Sequence, residues 1–270
     1  MTTDTKRQPA LFLPHGGGPC FFMDWTWGPA DTWHKTQRFL EGVAGTLPER
    51  PKALLVVSGH WEEAAFTASA AANPQLIFDY SGFPEDTYRL TWPAPGDPEL
   101  AARVNDLLTQ PGLPAAVSAS RGFDHGVFVP LKVAFPDAQI PVVTLSLAGS
   151  LDPGLHFAAG KALAPLRDEG VLIVGSGMSF HNLRGYFQTQ TVERARAFDE
   201  WLTRAVESPE AERRALLTAW RKAPFAAYAH PREEHLIPLM VAAGAGGDAL
   251  GTRIFNDEPM GAAISAYRFD

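Results

Sequence analysis

"KALLVVSGH", Lys52 to His60, is an unbroken apolar, β-branched run that stops at Ser-Gly-His. Five apolar residues in a row with turn residues behind them read as a buried strand. The same pattern recurs along the chain. "ALFLP" (Ala10–Pro14) is a short strand that ends in His15 and three glycines. "IPVVTLSL" (Ile140–Leu147) is another, and "GVLIVGSG" (Gly170–Gly177) runs into "MSFHNL" with His181. Weaker strands are expected at Phe66–Ala70, Ala115–Ser120 and Ala262–Phe269.

Helices alternate with these strands. Asp97-Pro98 and Asp152-Pro153 are each an N-cap followed by a first-turn proline, opening helices to about Leu108 and about Arg167. "HGVFVPLKVAF" (His125–Phe135) reads as helical, as do Val192–Val206 and Pro209–Trp220, and a further helix is expected from about Arg232. The stretch "FDYSGFPEDTYRLTWPAPGDPEL" is rich in Pro, Gly and aromatics and is expected to be a long ordered loop. The alternation argues for a single-domain three-layer α/β/α sandwich over residues 1–270, with a mostly parallel or mixed central sheet.

Bulk composition narrows the function. The 270 residues are long enough to bury a sizeable core, and 46% apolar with 20% charged residues is ordinary for a globular chain. The net charge of -7 and the scattered Lys and Arg residues disfavour nucleic acid and anionic membranes as partners. No stretch of about 18 apolar residues occurs, so no membrane span is expected. One cysteine, Cys20, allows no internal disulfide, and with no apolar leader at the N-terminus the expected location is cytoplasmic.

The chemistry is in the histidines. His15, His60 and His181 each follow or end a strand, where open α/β sheets place their ligand sites. His125, His230 and His235 lie where loops meet helices and can reach the same crevice. Glycine adjoins His15, His60 and His125, permitting tight turns and close backbone approach. His34 and His156 sit within helical patterns and are read as ordinary surface or hydrogen-bonded residues. Several neutral imidazoles meeting at one point suit Zn(II) or Fe(II). Other chemistries do worse. The serines of "SGH" and "GSG" form no nucleophile elbow, and "GGG" lacks the lysine of a phosphate loop and the spacing of a dinucleotide fingerprint. Trp25, Trp27 and Trp33 are expected to serve in packing or as a pocket wall.

The stretches "LFLPHGGGP", "LLVVSGHWEE", "QLIFDYSGFPEDTYRLTWPAPGDPELAARV", "RGFDHGVFVPLKVAFPDAQIPVVTLSL", "VLIVGSGMSFHNLRGY" and "HPREEHLIPLMVAAGA" run in order from residue 11 to about 245. Together they resemble the class III extradiol ring-cleaving dioxygenases, in the branch related to 4,5-DOPA dioxygenase. The resemblance implies one mononuclear metal, Fe(2+), with Zn(2+) able to occupy the same site. It implies His15, His60 and His235 as metal ligands, His181 as the acid/base beside the metal, and His125 as a second pocket histidine touching substrate or oxygen. The implied partners are a small catecholic substrate and O2, and the implied product a muconic semialdehyde. His230 matches no ligand position and is expected beside the site or on the surface. The family's first motif usually reads His-Gly-Ser-Pro. Here it is His15-Gly16-Gly17-Gly18-Pro19, one residue longer and without the serine hydroxyl. A third histidine stands where better-known members carry a carboxylate, with Glu234 as the adjacent substitute. A zinc hydrolase and a non-enzymatic interaction protein on the same scaffold are the competing readings.

Overall fold

The computed structural model describes residues 5–270. One eight-stranded mixed sheet runs through them, built from β1 (Ala10–Pro14), β2 (Ala53–Glu63), β3 (Phe66–Ser69), β4 (Ala115–Ser118), β5 (Val142–Ala148), β6 (Val171–Gly177), β7 (Gly251–Asp257) and β8 (Ile264–Phe269). The spatial order is β4-β3-β5-β2-β6-β1-β8-β7. The middle four strands, β5-β2-β6-β1, are parallel. β3 and β8 join them antiparallel, so the edges make the sheet mixed. β5 and β6 are buried along their whole length, as a parallel sheet covered on both faces requires.

The helices are α1 (His34–Val43), α2 (Pro98–Thr109), α3 (His125–Ala134), α4 (Pro153–Leu163), α5 (Pro165–Asp168), α6 (Thr189–Val206), α7 (Glu210–Thr218), α8 (Ala226–Ala229) and α9 (Ile237–Ala245). The expected N-caps are in place: Asp97 accepts from the Leu100 amide at 2.9 Å and Asp152 from that of Leu155 at 2.6 Å. The helix expected to continue to Arg167 breaks at Ala164, where Pro165 opens the short α5. The helix expected from Arg232 begins only at Ile237, because residues 231–236 form bends and a turn that place His235 in the crevice. β7 was not anticipated. It is an edge strand, partly exposed, and "GTRIFND" lacks a clean alternation.

Adjacent residues of β6 show how the layers are built. Ser176 points to one face and donates to the carbonyl of Gly126 in α3. Gly175 and Gly177 point to the other, where an added Cβ would strike the backbone of Pro238 and His235. Glycine there lets α9 and the turn before it lie directly on the sheet. The sheet is thus covered by α1 and α3 on one side and by α9, with α4 packed against it, on the other.

Candidate active site

Three neighbouring parallel strands, β2, β6 and β1, end at the same edge of the sheet. His15 follows Pro14 at the end of β1, and its amide donates to the Gly177 carbonyl at 3.2 Å. His60 stands near the end of β2. His235 arrives from the other layer, held over β6 by the Met178 amide donating to its carbonyl at 3.0 Å. The three imidazoles converge on their Nε2 atoms. His60 Nε2 lies 3.3 Å from that of His15 and 3.1 Å from that of His235.

These separations test whether the residues fit a metal. His235 Nδ1 donates to Glu234 Oε1 at 2.9 Å, and His60 Nδ1 faces Asp79 Oδ2 at 3.5 Å. Protonated on Nδ1, both rings turn Nε2 lone pairs at each other. Lone pairs that close repel unless a cation lies between them. Metal–nitrogen bonds of about 2.1 Å would separate the nitrogens by about 3.0 Å at right angles and about 3.4 Å in a tetrahedron. The observed distances fall in that range. Burial, then the neighbouring imidazoles, hold His15 and His235 far below the ordinary histidine pKa. Burial and the nearby His125 lower His60 to about 3, against the opposing pull of Asp79. The rings are therefore neutral, the form that binds metal. His15 Nδ1 is buried without a hydrogen-bond partner.

Two further triples lie close enough to bind an ion: His60, Asp79 and His125, and His181, Glu234 and His235. In each, a carboxylate–imidazole contact of 2.9 Å is already a hydrogen bond. Glu234, the substitute ligand considered from the sequence, therefore lies on the Nδ1 side of His235, away from the Nε2 convergence.

His181 and His125 flank the three. The His181 ring stacks on His235 with centroids 3.4 Å apart, and its Nδ1 lies 3.2 Å from Glu234 Oε1. His125, the first residue of α3, donates from Nδ1 and from its backbone amide to Asp79 Oδ1, both at 2.9 Å. Its ring is 3.9 Å from that of His60 and 5.3 Å from that of His15. Gly126 makes this approach possible, since a Cβ there would lie 2.8 Å from the His60 ring. All five histidines line one cavity of about 470 Å³.

The remaining histidines are elsewhere. His230 is buried rather than on the surface. It donates from Nε2 to the Ser179 carbonyl at 2.9 Å and does not line the cavity. His156 is buried, donating from Nδ1 to the Asp152 carbonyl at 2.7 Å and accepting on Nε2 from the Ala148 amide at 3.1 Å. His34 is exposed. Asp79 was missed from the sequence. It lies in the aromatic loop, and only its place in "QLIFDYSGFPEDTYRL" pointed to it.

The three tryptophans do form a wall of the cavity, with Phe83 and Phe187. The glycines of "HGGGP" also line it, and their local necessity is clear. Gly16 and Gly18 have φ of +85° and +57°, and a Cβ on Gly18 would lie 2.7 Å from the Phe83 ring. Only glycine adopts that backbone cheaply beneath an aromatic lid.

The family model for the catalytic LigB subunit of aromatic ring-opening dioxygenase matches residues 9–269. A protein named dioxygenase tasH from Hapsidospora irregularis is 37% identical over 98% of this chain and 86% of its own. A 4,5-DOPA dioxygenase extradiol from Beta vulgaris is 38% identical over 100% of this chain and 99% of its own. A protein of the same name from Escherichia coli K12 is 35% identical over 89% of this chain and 86% of its own. The crystal structure of an uncharacterized protein from Escherichia coli K12 superposes with a TM-score of 0.79 at 30% identity, over 98% of this chain and all of that one. Among the described residues no helix is long and apolar enough to cross a membrane. These matches favour ring opening over the hydrolase and interaction-protein readings, and the chain belongs to the LigB family of catalytic subunits of aromatic ring-opening dioxygenases, as an extradiol enzyme.

Proposed function

We propose that this chain, acting as one catalytic domain, binds Fe(2+) through His15, His60 and His235 and opens the ring of a catechol with O2. The observation that carries the reading is the meeting of three neutral Nε2 atoms on the floor of an aromatic-walled cavity, with two further imidazoles beside them. Bound iron supplies the redox chemistry that couples triplet dioxygen to a closed-shell catechol, which Zn(2+) in the same place cannot supply. One ring C–C bond breaks and both oxygen atoms enter the product, so no external reductant is consumed.

The chain's own residues orient the substrate and move its protons. The tryptophans and Phe83 enclose the planar ring and exclude water. His181 keeps its proton on Nδ1, facing Glu234, which leaves Nε2 as the acceptor for a catechol hydroxyl proton. The same nitrogen returns that proton as the ring opens. His125, fixed through Nδ1 by Asp79, presents its Nε2 edge to the reacting face and orients the catechol or the oxygen.

The test is anaerobic loading with Fe(2+), then a panel of catechols with O2 admitted. The expected result is one O2 consumed per catechol and a yellow ring-opened product. Equal turnover by the zinc form under argon would overturn the reading in favour of metal-assisted hydrolysis.

A further inference from the structure

Resting on the ring-opening reading, we propose that the substrate is a catechol whose ring substituent is apolar and uncharged, gripped at the cavity mouth by Trp27, Leu183 and Phe187. Three observations carry this.

The first is the absence of a counter-ion. Among the described residues no Lys or Arg lines the cavity. Tyr80 is already committed, donating its hydroxyl to the Thr87 carbonyl at 2.7 Å. The carboxylates nearest the site, Asp79 and Glu234, are tied to histidines. A substituent carboxylate would lose its water and meet no Lys or Arg side chain in exchange, which is costly. A substituent ammonium would find both carboxylates behind the imidazoles they hold.

The second is where the exposed apolar surface lies. Among the described residues the large hydrophobic side chains left exposed are Trp27, Val117, Leu183, Phe187, Phe225 and Leu250. Three of the six rim this one cavity: Trp27 at 49%, Leu183 at 70% and Phe187 at 60% exposure. Apolar groups clustered at one opening mark a binding surface, whereas scattered ones do not. A cavity of about 470 Å³ also has room beyond a bare catechol ring.

The third is the backbone of the rim. Phe187 has φ of +65° and Met260 of +54°, conformations that side-chain-bearing residues adopt at a cost. The Phe187 amide donates to the Met260 carbonyl at 3.2 Å, so the two strained residues brace each other across the mouth. A costly backbone conformation retained at this point of the mouth, with the Phe187 ring in the cavity wall, is the pattern of a ligand-gripping rim.

The experiment titrates zinc-loaded protein under argon with 4-butylcatechol, 3,4-dihydroxyphenylacetate, L-DOPA and dopamine. These carry no charge, an anion, a zwitterion and a cation. Binding is read from the fluorescence of the cavity tryptophans, independently of turnover, and O2 uptake by the iron form is measured in parallel. Burying the butyl chain should make 4-butylcatechol bind at least about tenfold more tightly than any of the others. Phe187→Arg and Leu183→Arg, both at exposed positions, should cut that preference and favour 3,4-dihydroxyphenylacetate. Equal affinities, or preference for a charged catechol, with O2 uptake intact, overturn the substrate class and leave ring opening standing. Absence of O2 uptake with all four overturns ring opening itself, and the proposal with it.

Discussion

The two sides of the site are built alike and fastened differently. On each side one carboxylate joins one of the three converging histidines to one flanking histidine. Asp79 serves His60 and His125, and Glu234 serves His235 and His181. On the Asp79 side the short bonds go to the flanking residue: His125 takes 2.9 Å from both ring and amide, and His60 is left at 3.5 Å. On the Glu234 side the order is reversed, with His235 at 2.9 Å and His181 at 3.2 Å. Burial is the largest single influence and raises both carboxyls, but hydrogen bonds and charge attraction together, led by the flanking histidines, outweigh it. Asp79 falls to about 2 and Glu234 also falls, helped by Arg232. Both stay ionised, so the difference lies in what each holds still. Asp79 fixes His125 at the start of a helix, suited to orienting. Glu234 fixes a converging histidine and leaves His181 the freer ring, suited to proton transfer.

The largest effect should come from the shared centre. Replacing His15, His60 or His235 with Ala should take the protein from about one bound metal to almost none in a buffer containing a mild chelator, read by metal analysis after gel filtration. Full occupancy in His235→Ala would remove the Glu234 side from the ligand set and break the comparison at its root.

Next is the division of labour between the flanking rings. His181→Gln keeps polarity and loses the titratable imidazole, so kcat should fall by ~100- to 10,000-fold while iron content stays near wild type. If iron leaves with activity, His181 is a ligand. If turnover hardly changes, His125 is the acid/base and the two sides have been assigned the wrong way round.

The carboxylates sharpen the contrast at smaller magnitude. Glu234→Gln should weaken metal binding by about 10- to 100-fold, the usual cost of losing a ligand's orienting partner. Asp79→Asn should leave metal affinity within about threefold and act instead on KM for the catechol, through His125. Competition titration against a chelator separates them, and equal losses would show that the 2.9 Å and 3.5 Å contacts carry no distinction.

The smallest expected effect belongs to a histidine outside both sides. His156 is held neutral by burial, its pKa lowered to about 4, against the opposing bond from Asp152. An unfolded chain takes up that proton near pH 6.5, before the folded one does. Its contribution is therefore fully present above about pH 6.5 and is lost as pH falls toward 4. Between pH 6.5 and 5 the loss is about 2 kcal/mol. Urea unfolding of wild type and His156→Gln at both pH values should show a pH dependence flatter by that amount in the variant. Parallel curves would place the acid sensitivity in the clustered histidines instead.

Local pattern is enough to reveal the strands that carry the site and the histidines near their ends, although β2 runs past His60 to Glu63. Buried parallel strands are apolar runs with sharp ends, so "LFLP", "LLVV" and "VLIVGSG" announced β1, β2 and β6, and with them the positions of His15, His60 and His181. The two Asp-Pro caps were equally plain, because capping is a local hydrogen bond written in adjacent residues. His125 and His235 were legible as candidates, but their roles came through likeness to a family. Which atoms converge depends on long-range packing. His235 reaches His60 because Gly175 and Gly177 let another layer lie on β6, a contact spanning some 60 positions of the chain. Asp79 joins two histidines from a loop with no periodic signal, and Phe187 and Leu183 reach the cavity mouth from exposed turns. Local patterns encode burial and chain direction. The nitrogen left free to bind, and the face the cavity opens on, depend on long-range packing that no short stretch records.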